Sequence, residues 1–423
     1  MSKRVVITGL GVAAPNGVGI TEFSHAIKNG ISGIRHDTQL EELQFSCQIA
    51  GKPDISEELK AQYFTELELR GFNSTGILYG VIAGIEAWKN AGLAIEINED
   101  PDWDSGIIFG SGTSGIDKFR ESIYKIDELE VRKLGSTVVA QTMNSGISAY
   151  LGGKLGLGNQ ITTNSSACST GTEAILMAYD RIQSGQAKRI LAGSTGDSGP
   201  YIWGGFDALR VCSSKYNDNP EKGSRPMSAS AAGFVPASGA GALVIEDLES
   251  ALERRATIYA EILGGNVNSG GQRGNGSMTA PNSTAVQRCI SAAINNSGIS
   301  AVDIDAINGH LTATTKDSLE IENWTKALDR KGNDFPYINS LKSMTGHCLS
   351  AAGSIESIAA TLQIHEGFIF GNINCDDLHP EITALIDPSK IPLKTIEISP
   401  TIIAKASFGF GDVNACIILK KFS

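Results

Sequence analysis

"TNSSACSTGTEAIL" occupies residues 163–176 and sets one cysteine among Ser, Ala, Thr and Gly, immediately before an apolar run with helical spacing. A packing cysteine wants aliphatic neighbours; a reacting thiol wants access, room for a substrate and a field that favours the thiolate. The partial positive charge of a helix N-terminus supplies such a field. On this stretch alone, a plain buried cysteine is the better reading of Cys168. The fold consequence is firmer. "GTEAILMAYDRIQSG" (171–185) reads as a helix stopped at Gly185, while "SGIIFGSGTSG" (105–115) and "AKRILAGSTGD" (187–197) read as strands running into glycine loops. A helix between strands is an α/β unit.

The same alternation extends in both directions. "RVVITGLGVAAPNG" (4–17) is a strand and glycine turn, "STGILYGVIAGIEAWKNAGL" (74–93) a helix with a stop at Gly92, and "GAGALVIEDLESALERRATIYAEILGG" (239–265) strand, helix, strand. Beyond it, 283–299, 315–328 and 353–367 read as helices, 303–310 as a strand ending at a histidine, and 414–422 as a closing strand. The expectation is a layered α/β protein with two halves, 1–255 and 256–423, similar in element order but without a clean sequence repeat.

Composition narrows the function classes. The net charge is -11 and no basic stretch dominates, which argues against nucleic acid as a partner but leaves room for local docking of an acidic protein. Seven cysteines without CxxC spacing suit a reducing, cytoplasmic compartment. The glycine-broken N-terminus reads as a buried strand rather than a signal peptide, and no apolar run of about 18 residues predicts a membrane span.

Two histidines raise the odds for Cys168. "AINGHLTATTKD" puts His310 at a strand end, in a loop of Gly and Thr; "NSLKSMTGHCLSAAGSIE" puts His347 in a loop with Lys342 that leads into a helix. Such loop positions usually carry function. The trio could ligate zinc, yet no carboxylate or second cysteine accompanies it at ligand spacing, so no metal is expected. A thiol with two imidazoles suits acyl transfer: the sulfur takes an acyl group and the histidines handle a second reactant at the same carbon.

"SSACSTG", "INGHLTATT", "NSLKSMTGHCLSAAGSIE" and "ASFGFGDVNACIIL", in that order, resemble the β-ketoacyl-acyl-carrier-protein synthases, condensing enzymes of thiolase fold, and the likeness covers almost the whole chain. The resemblance implies a five-layer αβαβα fold of two similar halves, Cys168 in the first and both histidines in the second. It implies decarboxylative Claisen condensation of an acyl chain on Cys168 with malonyl-acyl-carrier protein, releasing carbon dioxide. His310 and His347 would promote decarboxylation and stabilise the enolate. Lys342, beside Glu356, would order the site, and Thr312 and Thr314 would line the phosphopantetheine arm. The N–H groups of Cys168 and Phe410 would form an oxyanion hole, with Phe410 as gate to the acyl pocket and Phe408 beside it. Arg132, Lys133 and Arg70 would dock the acidic carrier. No cofactor of the chain's own is implied, the phosphopantetheine arriving on the carrier. The working unit would be a homodimer, or a heterodimer with a chain-length-factor-like subunit.

The chain departs from the pattern at Leu311 and Ala313, at Ser238 where Glu is typical, and at Asp412 where Gly is usual, which adds a charge near the gate. These departures imply a specialised synthase, for example of polyketide, aryl polyene or flexirubin-like chains, more than housekeeping fatty-acid elongation. Two alternatives stand beside it. A non-catalytic chain-length-factor-like partner would usually lose the cysteine. A thiolase using coenzyme A would need a second, C-terminal cysteine as base, for which Cys348 and Cys416 are the only rivals.

Overall fold

The computed structural model describes residues 3–271 and 278–423. The first half runs β1 (Val5–Ala14), α1 (Thr75–Asn90), β2 (Ser105–Ser111), α2 (Ile116–Asp127), α3 (Gly146–Leu155), β3 (Ile161–Thr162), α4 (Thr170–Gln183), β4 (Arg189–Gly196), α5 (Pro200–Ala208) and β5 (Gly239–Asp247). The second runs β6 (Ala260–Ser269), α6 (Ser283–Asn296), β7 (Ala306–Asn308), α7 (Asp317–Leu328), β8 (Tyr337–Asn339), α8 (Ala352–Glu366), β9 (Ile402–Gly409) and β10 (Val413–Lys420).

Ten of these strands follow the spatial order β8-β7-β9-β10-β6-β1-β5-β4-β2-β3. The pairing senses repeat about the middle of that order. β1–β5 and β5–β4 are antiparallel, and β4–β2 and β2–β3 parallel; β6–β10 and β10–β9 are antiparallel, and β9–β7 and β7–β8 parallel. The halves join where Val5–Ile7 pairs antiparallel with Ala260–Ile262. The two halves therefore share one topology, as expected.

Period-2 alternation sorts the strand side chains into layers. On β4, Ile190 and Ala192 face a central core with Ile175 and Ala178 of α4 and Ile355 and Ile358 of α8, while Leu191 faces outward against α1 and α3. On β10, Ile417 and Leu419 face the same centre, and Cys416 and Ile418 face the outer helices α6 and α7. The result is helix, sheet, helix, sheet, helix: the thiolase fold. The central helices meet through glycine. A Cβ on Gly171 of α4 would lie 2.3 Å from the Ser354 nitrogen of α8, and one on Gly353 would lie 2.5 Å from the Thr172 nitrogen. This backbone-to-backbone contact holds the starts of α4 and α8 side by side at the molecule's centre.

Candidate active site

Each central helix is entered through the same tight turn. Residues 167–169 form a 3-10 turn before α4, with Ala167 at φ 49°; residues 349–351 form one before α8, with Leu349 at φ 51°. A non-glycine residue in the left-handed region costs roughly 1 kcal/mol, and both sites are clamped by tertiary contacts. The first turn presents Cys168. The Ser169 hydroxyl donates to the Ser407 and Val413 carbonyls at 3.1 and 2.8 Å, and Thr172 and Ser407 share a 2.9 Å hydrogen bond. These contacts staple the Cys168 turn to β9 and β10. A Cβ on Gly409 would stand 3.1 Å from the Cys168 nitrogen, so glycine lets the 407–412 loop close over the thiol.

The second half brings the histidines. One donor atom from each of Cys168, His310 and His347 lies within 4.8 Å of the others, and all three residues are buried. The imidazole rings stand 5.3 Å apart, nearly perpendicular, with His347 edge-on to Phe234 and His310 to Phe408. His310 is held by its backbone: Glu320 accepts from the N–H groups of His310 and Leu311, both at 2.7 Å, and Asp317 accepts from Thr312 and Ala313 at 2.9 and 3.1 Å. Burial raises the carboxyl of Glu320 to about 7, with neighbouring Asp317 adding to the shift. Leu311, one of the departures, fills the outer core of this half, and Ala313 takes φ 63°.

Both imidazoles are driven well below their usual value, first by burial and then by Lys342, so they stay neutral at pH 7. Their tautomers follow from their partners. The Leu349 N–H donates to His347 Nδ1 at 3.2 Å, and Lys342 Nζ stands 3.5 Å from His310 Nδ1. Each Nδ1 is thus the acceptor, which leaves the proton on Nε2. Lys342 does not line the cavities; it stands behind His310, ion-paired with Glu356. A second buried lysine, which the sequence reading missed, sits opposite. Lys405 Nζ is ion-paired with Glu356 Oε2 at 2.8 Å and donates to the Ala406 carbonyl and Ser407 Oγ at 2.7 and 2.6 Å. Burial lowers the pKa of Lys405 despite Glu356. The signal available in the sequence was a lone lysine inside the otherwise apolar strand "IIAKASFG".

One expectation is corrected. The thiol of Cys168 is not poised as a thiolate: burial pushes its pKa up to about 11, against the opposing pull of Lys342 and hydrogen bonds from the N–H groups of Phe410 and Cys168 itself. Desolvation outweighs the helix terminus. The same two N–H groups are those expected to hold an oxyanion. The trio also has the spacing of a metal site, but the positive charge of Lys342 beside His310 opposes a divalent cation there, and no carboxylate among the described residues joins the cluster.

Cys168 lies between two cavities. One, about 230 Å³, is lined by His310, His347, Thr312, Thr314, Phe408 and the 278–281 segment. The other, about 270 Å³, is lined by Thr113, Ile116, Asp197, Tyr201, Ile202 and Ser350. Phe410 borders both and packs on Phe206 at 5.9 Å. Its loop is tied to the opposite wall: the Gly411 N–H donates to the Met278 carbonyl at 2.9 Å, and Asp412 accepts from the Asn282 N–H at 3.1 Å. The Asp412 charge is therefore directed at the backbone entering α6. Arg132, Lys133 and Arg70 are surface residues; Lys133 is paired with Glu130 at 2.6 Å.

Residues 2–251 match the family model "Beta-ketoacyl synthase, N-terminal domain" and residues 259–376 match "Beta-ketoacyl synthase, C-terminal domain". The chain is 32% identical to 3-oxoacyl-[acyl-carrier-protein] synthase 1 of Escherichia coli K12, over 99% of each chain, and 32% identical to 3-oxoacyl-[acyl-carrier-protein] synthase 2 of Vibrio harveyi, over 100% of each. Among solved structures, a Beta-ketoacyl synthase from Burkholderia phymatum superposes with TM-score 0.89 at 27% identity. A chain from a complex of a type II polyketide acyl-carrier protein with its ketosynthase superposes with TM-score 0.88, also at 27%. Each match covers 100% of both chains.

Proposed function

The chain belongs to the β-ketoacyl synthase family, and from that premise we propose how its own residues carry out the family's reaction. It is a 3-oxoacyl-[acyl-carrier-protein] synthase: it condenses an acyl chain with malonyl-acyl-carrier protein, in fatty acid or type II polyketide synthesis. Cys168 Sγ attacks the acyl thioester, its proton leaves with the carrier thiol, and the acyl group rests in the Thr113–Ile202 cavity. The N–H groups of Cys168 and Phe410 receive the oxyanion. Malonyl thioester then enters past Thr312 and Thr314. Its carboxylate leaves as carbon dioxide, the bonding electrons pass into an enolate, and the Nε2–H groups of His310 and His347 hold the enolate oxygen. The carbanion attacks the Cys168-bound carbonyl and the cysteine sulfur departs as a thiolate that takes up a proton from solvent, leaving a 3-oxoacyl thioester on the carrier. The substrate arm is the carrier's phosphopantetheine, and the chain adds no cofactor of its own.

The single observation that carries this assignment of roles is the convergence of Cys168, His310 and His347 within 4.8 Å, between two cavities that Phe410 divides. It also favours a catalytic subunit over a chain-length-factor-like one. A chain-length-factor partner remains compatible with the fold, since the ishigamide ketosynthase/chain length factor superposes with TM-score 0.87 at 26% identity. We take the working unit to be a dimer: Phe119, Ile123, Ile126, Leu129, Val131 and Val139 expose an apolar surface on α2 and the segment after it, and Ile116 of α2 also lines the acyl cavity. No helix among the described residues is long and apolar enough to cross a membrane. The test is intact-protein mass after incubation with acyl-carrier thioesters. Wild type should gain one acyl group, lost in Cys168→Ala with the fold retained; acyl mass on another cysteine would refute the assignment.

A further inference from the structure

The cavity on the histidine side is buried at Cys168, His310 and His347 and reaches the surface at Met278, Thr315 and Lys316. Among its described lining residues Lys316 is the one side chain with a permanent positive charge. The wall's three carboxylates are engaged with backbone. Asp317 takes the N–H groups of Met227, Thr312 and Ala313; Glu320 takes those of His310 and Leu311; Asp412 takes that of Asn282. None of them pairs with Lys316, whose ammonium has no ion-pair or hydrogen-bond partner among the described residues, while its backbone N–H is held by Thr314 Oγ1 at 3.3 Å. The loop from His310 to Lys316 thus places two neutral imidazoles at the depth of the cavity, the Thr312 and Thr314 hydroxyls partway out, and an unpaired cation at the rim.

A thioester seated at the histidines on a long polar arm would carry its far end to that rim. The far end of a phosphopantetheine arm is a phosphate. In a chain of net charge -11, an anionic group at the mouth needs a local cation to offset the surrounding field. We propose that Lys316 binds the phosphate of the incoming arm, and so fixes how deeply the thioester sits. This rests on the function proposed above, and it makes Lys316 a substrate-binding residue for phosphorylated arms specifically. Lysine suits the task as a mobile point charge on a flexible stem.

The test compares malonyl-phosphopantetheine with malonyl-pantetheine, which differ only in the phosphate, as extender for wild type and for Lys316→Gln, Lys316→Arg and Lys316→Glu. Wild type should favour the phosphorylated extender in KM by about two- to five-fold, the scale of one exposed ion pair, with kcat unchanged. Lys316→Gln should erase that advantage, Lys316→Arg keep it and Lys316→Glu reverse it, while all four enzymes treat malonyl-pantetheine alike. A phosphate advantage that survives in Lys316→Gln, or an equal loss on both extenders, overturns the assignment. If wild type condenses neither extender, nor malonyl-acyl-carrier protein, the proposed function itself falls.

Discussion

His310 and His347 show how far single residues could be read. Their loops marked them in the sequence, because a rare histidine at a strand end beside glycine and threonine has few structural reasons to be there. Their protonation was not legible, since it depends on how deeply the fold buries them and on Lys342 and Lys405, the latter brought in from β9. With both imidazoles lowered by burial and by Lys342, the neutral donor form persists as pH falls below 6.5. The malonyl decarboxylation rate should therefore stay flat between pH 6 and 8, and an acid limb centred at the ordinary imidazole value would contradict the geometry. His310→Ala or His347→Ala should each raise the decarboxylation barrier by about 2 to 4 kcal/mol, as for one lost oxyanion donor, while acyl loading of Cys168 suffers less. Stability carries the matching sign. Unfolded imidazoles take up protons below 6.5 that the folded pair refuses, so each should subtract up to about 1.4 kcal/mol per pH unit below that point. Cys168 stood out in the sequence by its small neighbours and helix-start position, but its protonated state did not, because the 407–410 segment that helps bury it lies far away in sequence.

At the scale of elements, the loop between β9 and β10 decides how Phe410 moves. Glycines on either side promised freedom in the sequence, and Asp412 was an unexplained departure. The structure gives it a job: at φ 59° it takes a backbone shape that glycine adopts without cost, and its carboxylate holds the residue that caps α6. Swinging Phe410 therefore strains a connection to the facing wall. Asp412→Gly should relieve about 1 kcal/mol of backbone strain while cutting that tether, leaving the thermal midpoint near wild type. The set of acyl chains that load onto Cys168 should broaden, read by mass spectrometry across chain lengths. An unchanged chain preference with faster or slower loading throughout would mean that the tether does not govern selection. Helices and strands themselves were largely readable, because α4, α6 and α8 stop at or just before Gly185, Gly298 and Gly367, and α6 begins at the capping residue Asn282. The 3-10 turns before α4 and α8 were not, since their left-handed residues are an alanine and a leucine.

At the scale of the molecule, the chain is strongly negative yet is proposed to receive an acidic partner, so docking must rest on a few cations. Arg132 carries no ion pair among the described residues, whereas Lys133 is already half-spent on Glu130. Reversing both to Glu should raise KM for malonyl-acyl-carrier protein several-fold at low salt, with the difference shrinking as the screening length falls to about 8 Å near physiological ionic strength. A salt-independent KM equal to wild type would remove these two from the docking surface. The duplicated topology was only hinted at by element order, because the two halves share a strand order without a clean sequence repeat. That geometry includes the turn before each central helix. Cys168 sits at the middle of the first and Ser350 at the middle of the second, where its hydroxyl donates to the Thr195 carbonyl at 2.7 Å and borders the acyl cavity. The same seat is thus built twice: one copy holds a thiol between the two cavities, and the other holds a hydroxyl that forms part of a cavity wall.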